Sequence, residues 1–175
     1  MKMTTNAIVL AFGTLLSACS GSAVPGAAAP TSAAAACEGG SARSDVELER
    51  YVHCTTIAGD LDVTGVTSVS PLHHLRSVEG TLSIRRTEHL YSLSGLESLR
   101  RVDILRIEQN RGLISIASLN ALAHAEKVNI VANPRLSSSG GLMDGLKRIA
   151  AEITLVDNVG LRAEGVAMGS RVSVL

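Results

Sequence analysis

Arginine is the residue whose clustering could do chemistry in this chain. Arg85, Arg86, Arg100, Arg101, Arg106 and Arg111 crowd one short stretch. A guanidinium group recognises carboxylates and phosphates through a planar fork of donors. Interface hot spots favour Arg and Tyr, and Tyr91 lies in the same stretch. Arg85, Arg86, Arg106, Arg111 and Tyr91 are therefore the candidate partner-binding residues. Two readings are open: a small anion- or partner-binding patch, or a solvated face paired with its own carboxylates.

The other reactive side chains form no constellation. His73-His74 is the one adjacent histidine pair, and sequence neighbours rarely point at a single metal. Asp60 and Asp62 lie two apart and share a side, but Ca²⁺ takes six to eight oxygens. Nucleophile elbow, zinc-protease, phosphate-loop and dinucleotide motifs are absent. Gly140-Gly141 follows the serine run 137–139 without a phosphate-loop lysine, which reads as an irregular loop. No catalytic residue, metal or cofactor is expected, and the chain reads as a non-enzyme.

Composition narrows the partner. The 175 residues carry 16 basic and 16 acidic side chains, so nothing draws the chain to nucleic acid by charge. Aromatic residues make up 2%, too few for a base- or sugar-stacking platform. Length and a 46% apolar fraction suit one globular domain with a short extra segment.

That extra segment is N-terminal. Lys2 precedes an apolar run, residues 7–16, too short to span a bilayer and suited to a signal peptide's central region. The run ends in Leu16-Ser17-Ala18-Cys19, which resembles the lipobox of bacterial lipoprotein precursors. The resemblance implies cleavage before Cys19, diacylation of its thiol and acylation of the new N-terminus. Lipidation would also remove one of three cysteines, an odd number that cannot all pair. Residues 20–36 contain only Ser, Gly, Ala, Pro, Thr and Val and read as a flexible tether reaching roughly 20 Å. The expected organisation is a signal peptide over 1–18, a tether over 19–36 and a folded unit over 37–175. A lipid-anchored protein of the bacterial envelope, at the outer membrane, is expected.

In an exported chain Cys37 and Cys54 are expected to form a disulfide, contributing about 3 kcal/mol by closing a short loop. Between them, Ser44-Asp45-Val46-Glu47 matches a capping box and predicts a short helix over about 45–52 that covers the N-terminal end of the folded unit.

From Gly59 onward the chain repeats. Apolar-x-apolar triplets recur at residues 61–63, 82–84, 105–107, 128–130, 153–155 and 172–174. Each alternates with period two, and strands this short need neighbours in a parallel stack. Between strands, apolar residues fall three apart: Leu90, Leu93, Leu96, Leu99, Val102, then Leu113, Ile116, Leu119, Leu122, Ala125. A looser row comes next at Leu136, Leu142, Leu146 and Ile149. Steps of three fit 3₁₀-like turns or one helical face. Asn110, Asn133 and Asn158 each lie five residues past their strand's start; Thr87 holds that place one repeat earlier, and the first repeat has no clear equivalent. They read as a structural ladder bonding to adjacent coils, or as three surface-turn residues. Arg106, the middle of its triplet, faces outward, and Arg85 aligns with Glu108.

The repeat length and the Asn after each strand resemble leucine-rich repeats. A closer resemblance is to the receptor L-domain family. It rests on Cys54, on Ile57-Ala58-Gly59-Asp60-Leu61-Asp62-Val63 and Gly80-Thr81-Leu82-Ser83-Ile84, on the Leu90–Val102 row, and on Asn110-Arg111-Gly112-Leu113 and Asn133-Pro134-Arg135-Leu136. It covers about residues 52–162; Gly at the strand start is replaced later by Ile104, Lys127 and Glu152. It implies an α/β repeat: a single right-handed, β-helix-like solenoid of short parallel strands with an N-terminal capping helix. The expected function is a monomeric binding module for a protein or glycan, held at the membrane through Cys19; the alternative is a structural spacer with no ligand.

Overall fold

The computed structural model describes residues 35–139, 150 and 152–158, with the backbone of 171–174. All belong to the unit Ser32–Leu175. The signal peptide, Cys19, most of the tether, Gly140-Gly141, and Leu142, Leu146 and Ile149 lie outside the described residues.

Seven strands form one parallel sheet in chain order: β1 (Ala36–Ala42), β2 (Thr56–Thr64), β3 (Ser77–Arg85), β4 (Arg101–Glu108), β5 (Lys127–Val131), β6 (Glu152–Val156) and β7 (Arg171–Val174). The repeated triplets stack in register: Leu61 beside Leu82, then Leu105, Val128, Ile153 and Val172. Their outer residues through Leu155 are buried, and the middle residues Asp62, Ser83, Arg106, Asn129 and Thr154 face out. Period-two alternation has put one apolar row and one polar row on each coil.

The step of three resolves as 3₁₀-like turns. Leu96 N–H donates to Leu93 C=O and Leu99 N–H to Leu96 C=O, both at 3.1 Å. Leu119 and Leu122 repeat this with Ile116 and Leu119, at 3.1 and 3.0 Å. The first coil obeys the same rule through Val66, Val69, Leu72, Leu75 and Val78, all buried. Each of these turns closes on a buried aliphatic and so delivers apolar groups to one core.

Four local features differ from the sequence reading. Sheet order begins with β1, which a capping helix alone does not anticipate. Its Gly39 is placed where a Cβ would lie 2.2 Å from the Asp60 carbonyl oxygen, so only glycine lets the two backbones approach. The helix is also shorter: α1 spans Asp45–Leu48 and passes into a 3₁₀ turn over Glu49–Tyr51. Ser44 Oγ accepts from Glu47 N–H at 3.2 Å, while the Glu47 carboxylate takes the N–H of Arg43 at 2.8 Å rather than that of Ser44.

Ile104 is the register partner of Thr81, not of Gly80, because the chain from Val78 to Thr81 is one residue longer than that from Val102 to Ile104. Gly59 and Gly80 take positive φ of 88° and 155° at this extra residue; from β4 on it is gone and no glycine is needed. Finally, the serine run is not irregular throughout, since Ser138 bridges Ser115, which bridges Ser92.

Cys37 and Cys54 are disulfide-bonded, tying β1 to the segment leading into β2.

Candidate functional site

Where β2, β3, β4, β5 and β6 end, the chain turns a sharp corner. Arg86, Gln109, Ala132 and Asp157 hold φ of 52–57° there, and Gly65 holds 63° in the first coil. Left-handed backbone disfavours side chains, so four non-glycine residues in one column need something to fix them. The next residue of each coil does so. Asn110 and Asn133 are fully buried. Asn110 Nδ2 donates to Ile84 C=O and Asn133 Nδ2 to Ile107 C=O, both at 2.9 Å; Asn158 Nδ2 donates to Ile130 C=O at 2.6 Å. In the other direction, Asn110 Oδ1 accepts from Thr87 N–H at 3.2 Å and Thr87 Oγ1 at 2.8 Å. Asn133 Oδ1 accepts from Asn110 N–H at 3.0 Å, and Asn158 Oδ1 from Asn133 N–H at 3.2 Å. Each amide thus bridges to a neighbouring coil. In the first coil Val66 occupies this column, buried and apolar.

An inward residue flanked by two outward ones leaves a trough across the coils. Its volume is about 580 Å³, and its walls are Arg86, Gln109, Ala132 and Asp157 on one side and Glu88, Arg111 and Pro134 on the other. Gly112 lies under the second wall, where a Cβ would stand 2.2 Å from the Glu88 carbonyl oxygen. The charges here are loosely held. Arg86 Nε reaches Gln109 Oε1 at 3.3 Å. Arg111 is 3.9 Å from Glu88, with both side chains at least two-thirds exposed, a pairing worth little in water. Asp157 makes no ion pair among the described residues.

The sheet's outer face is organised differently. Arg85 grips Asp62 with two hydrogen bonds, Nε to Oδ1 at 2.9 Å and Nη2 to Oδ2 at 2.6 Å. This bond holds the Asp62 carboxyl below its usual range against the opposing effect of desolvation, and raises the Arg85 guanidinium in turn. Arg85 does align with Glu108, yet its hydrogen bonds go to Asp62 on the coil before. Lys127 pairs with Glu152 at 2.9 Å. Arg106 stands exposed between Ser83 and Asn129 and makes no ion pair among the described residues.

The five candidate partner-binding residues therefore divide. Arg86 and Arg111 share the trough, Arg85 and Arg106 lie on the sheet face, and Tyr91, 52% exposed, sits farther along its coil where its carbonyl accepts Ile114 N–H at 2.9 Å. Glu88, Gln109, Ala132, Pro134 and Asp157 were not singled out from the sequence. Counting one residue to either side of the Asn column would have found them.

Asp45, at the start of α1, is committed to structure. It accepts Thr67 N–H at 2.8 Å, Thr67 Oγ1 at 2.6 Å and Ser68 N–H at 3.3 Å, and the Thr67 hydroxyl bond foremost holds its carboxyl below the ordinary range.

No curated protein and no solved structure matches the chain. The receptor L domain family model matches residues 53–147, from the residue before Cys54 past Pro134 but short of Asp157, and with more than half its length so matched the chain belongs to the receptor L domain family.

Proposed function

We propose that this chain is a lipid-anchored bacterial envelope protein that binds a protein partner through the corner of its repeat and catalyses no reaction. The observation that carries the binding reading is the trough, with two guanidinium groups facing solvent above a backbone fixed by Asn110 and Asn133. A rigid floor with uncommitted charges loses little conformational entropy when a ligand arrives. Membership in a ligand-binding family supports the same reading. Anchoring rests on the Leu16-Ser17-Ala18-Cys19 signature and on Cys37 and Cys54 being already paired, which leaves Cys19 as the odd thiol. On this reading the coils are right-handed, as parallel crossovers are, and α1 covers the N-terminal end of the core with Leu48. A spacer without a ligand is the second reading, favoured by the self-paired charges Asp62–Arg85 and Lys127–Glu152 on the sheet face.

Cleavable crosslinking on intact cells decides between them. The full-length chain is expected to capture a partner that the Arg86→Glu/Arg111→Glu variant loses. Capture of nothing by either chain at native expression supports the spacer. Labelled palmitate is expected to enter the wild type and not Cys19→Ala; label in both would overturn the anchor.

A further inference from the structure

The trough has a polarity along the coil axis. Arg86 and Arg111 stand at coils two and three, Ala132 and Pro134 form a small uncharged middle at coil four, and Asp157 stands at coil five. Glu88 offsets Arg111 in part, at 3.9 Å. Arg86 keeps only a 3.3 Å contact to a neutral amide. The first wall thus ends in the cation Arg86 on one side and the anion Asp157 on the other, with neutral Gln109 and Ala132 between, while Glu88 and Arg111 face each other on the second wall.

Distance then selects the ligand. Adjacent strands of a sheet stand about 4.8 Å apart, so three coil steps from Arg86 to Asp157 span about 14 Å. An extended peptide advances about 3.4 Å per residue, and its residues i, i+2 and i+4 share a face. Four residues cover the same 14 Å. We propose that the trough docks an extended segment of the protein partner carrying an acidic residue and, four positions away on the same face, a basic one, with a small apolar side chain midway between them at the level between Gln109 and Ala132. The acidic residue meets Arg86, the basic residue meets Asp157, and the segment can run in either direction because only the charge order along the trough is fixed. This inference rests on the binding reading given above.

The test is fluorescence anisotropy with labelled, end-capped peptides and the full-length chain in detergent. Glu-Thr-Val-Thr-Lys is expected to bind about fivefold more tightly than Glu-Thr-Val-Thr-Glu, Lys-Thr-Val-Thr-Lys or the one-residue-shorter Glu-Thr-Val-Lys, the ratio that one exposed charge contact can supply. Asp157→Asn is expected to abolish the preference over the doubly acidic peptide, and Arg86→Gln the preference over the doubly basic one. Both positions are exposed corners, so neither variant disturbs the core. Equal affinity for all four peptides, or wild-type preferences in both variants, overturns the proposal. If the peptides are not distinguished while crosslinking in cells still depends on Arg86 and Arg111, the ligand chemistry falls and the binding reading stands. If crosslinking captures nothing either, both fall.

Discussion

The sheet face and the corner trough are built from the same repeat and end with opposite charge economies. On the sheet, side chains of neighbouring coils stand parallel, and two opposite-charge pairs close across them: Arg85 on Asp62 along the diagonal, in preference to its register partner Glu108, and Lys127 on its register partner Glu152. Arg106 is left over because register gives it Ser83 and Asn129. In the corner's left-handed column, register sets neutral residues beside the charges, and across the second wall Arg111 and Glu88 meet only at 3.9 Å. Arg86 has Gly65 and Gln109 for neighbours, and Asp157 has Ala132. Charge density is thus a poor guide to a binding surface in a repeat protein; the useful quantity is the set of charges that stacking leaves unneutralised.

The largest test of this contrast removes the floor of the corner and spares the sheet. Asn133→Ala deletes the amide that satisfies Asn110 N–H and Ile107 C=O through two buried hydrogen bonds. At about 1–3 kcal/mol for each buried group left unpaired, a loss of about 3 kcal/mol in denaturant unfolding is expected. Hydrogen exchange is expected to accelerate at the corner amides of Gln109, Asn110 and Ala132 more than at Leu105 or Ile107. Uniform acceleration across the coil would show that corner and sheet are one cooperative unit.

Legibility in the sequence divides along the same line. Strand cores were legible because a period-two triplet recurs with almost constant spacing and every Leu61-type residue must face inward. The leucine steps of three were legible as a pattern, yet their resolution into 3₁₀-like turns needed the hydrogen bonds from Leu96 to Leu93 and Leu99 to Leu96. β1 was hidden because its sequence, Ala-Cys-Glu-Gly-Gly-Ser-Ala, has neither alternation nor strand propensity; it is a strand because β2 offers an edge and Gly39 permits the approach. The trough was hidden because its walls share position and not residue type: Arg, Gln, Ala and Asp occupy one column. Pairing was the least legible step. Alignment put Arg85 beside Glu108, and only side-chain reach decided for Asp62.

A smaller effect separates the adjacent arginines. Arg85→Ala removes a bidentate bond from a partly exposed pair, and a loss of about 0.5–1 kcal/mol is expected, with crosslinking unchanged. Arg86→Ala is expected to leave stability within about 0.5 kcal/mol and to weaken capture of the partner. Denaturant midpoints and crosslinking yields measured on the same two variants check both halves. Reversal of the pattern, with capture lost in Arg85→Ala, would move the binding surface from the corner to the sheet.

The smallest effect is the response of the sheet pair to acid. Asp62 titrates below its ordinary value in the folded chain, because Arg85 hydrogen-bonds the charged carboxylate. In the unfolded chain it returns to about 3.9. A depressed folded value means that the unfolded state binds the proton more readily, so the pair's stabilisation is complete above about pH 4 and is lost as pH falls through the folded value. Both partners are about a third or more exposed, which limits the contribution to well under 1 kcal/mol. Asp45 has the same sign through Thr67, so acid sensitivity of the whole chain does not isolate the sheet. The difference between wild type and Asp62→Asn does. Their unfolding free energies are expected to differ at pH 6 and to converge as pH falls below 4, with the wild type losing the larger share. A constant difference across that range would mean that Asp62 acts through packing or neutral hydrogen bonds, and that the neutralised sheet face owes nothing measurable to charge.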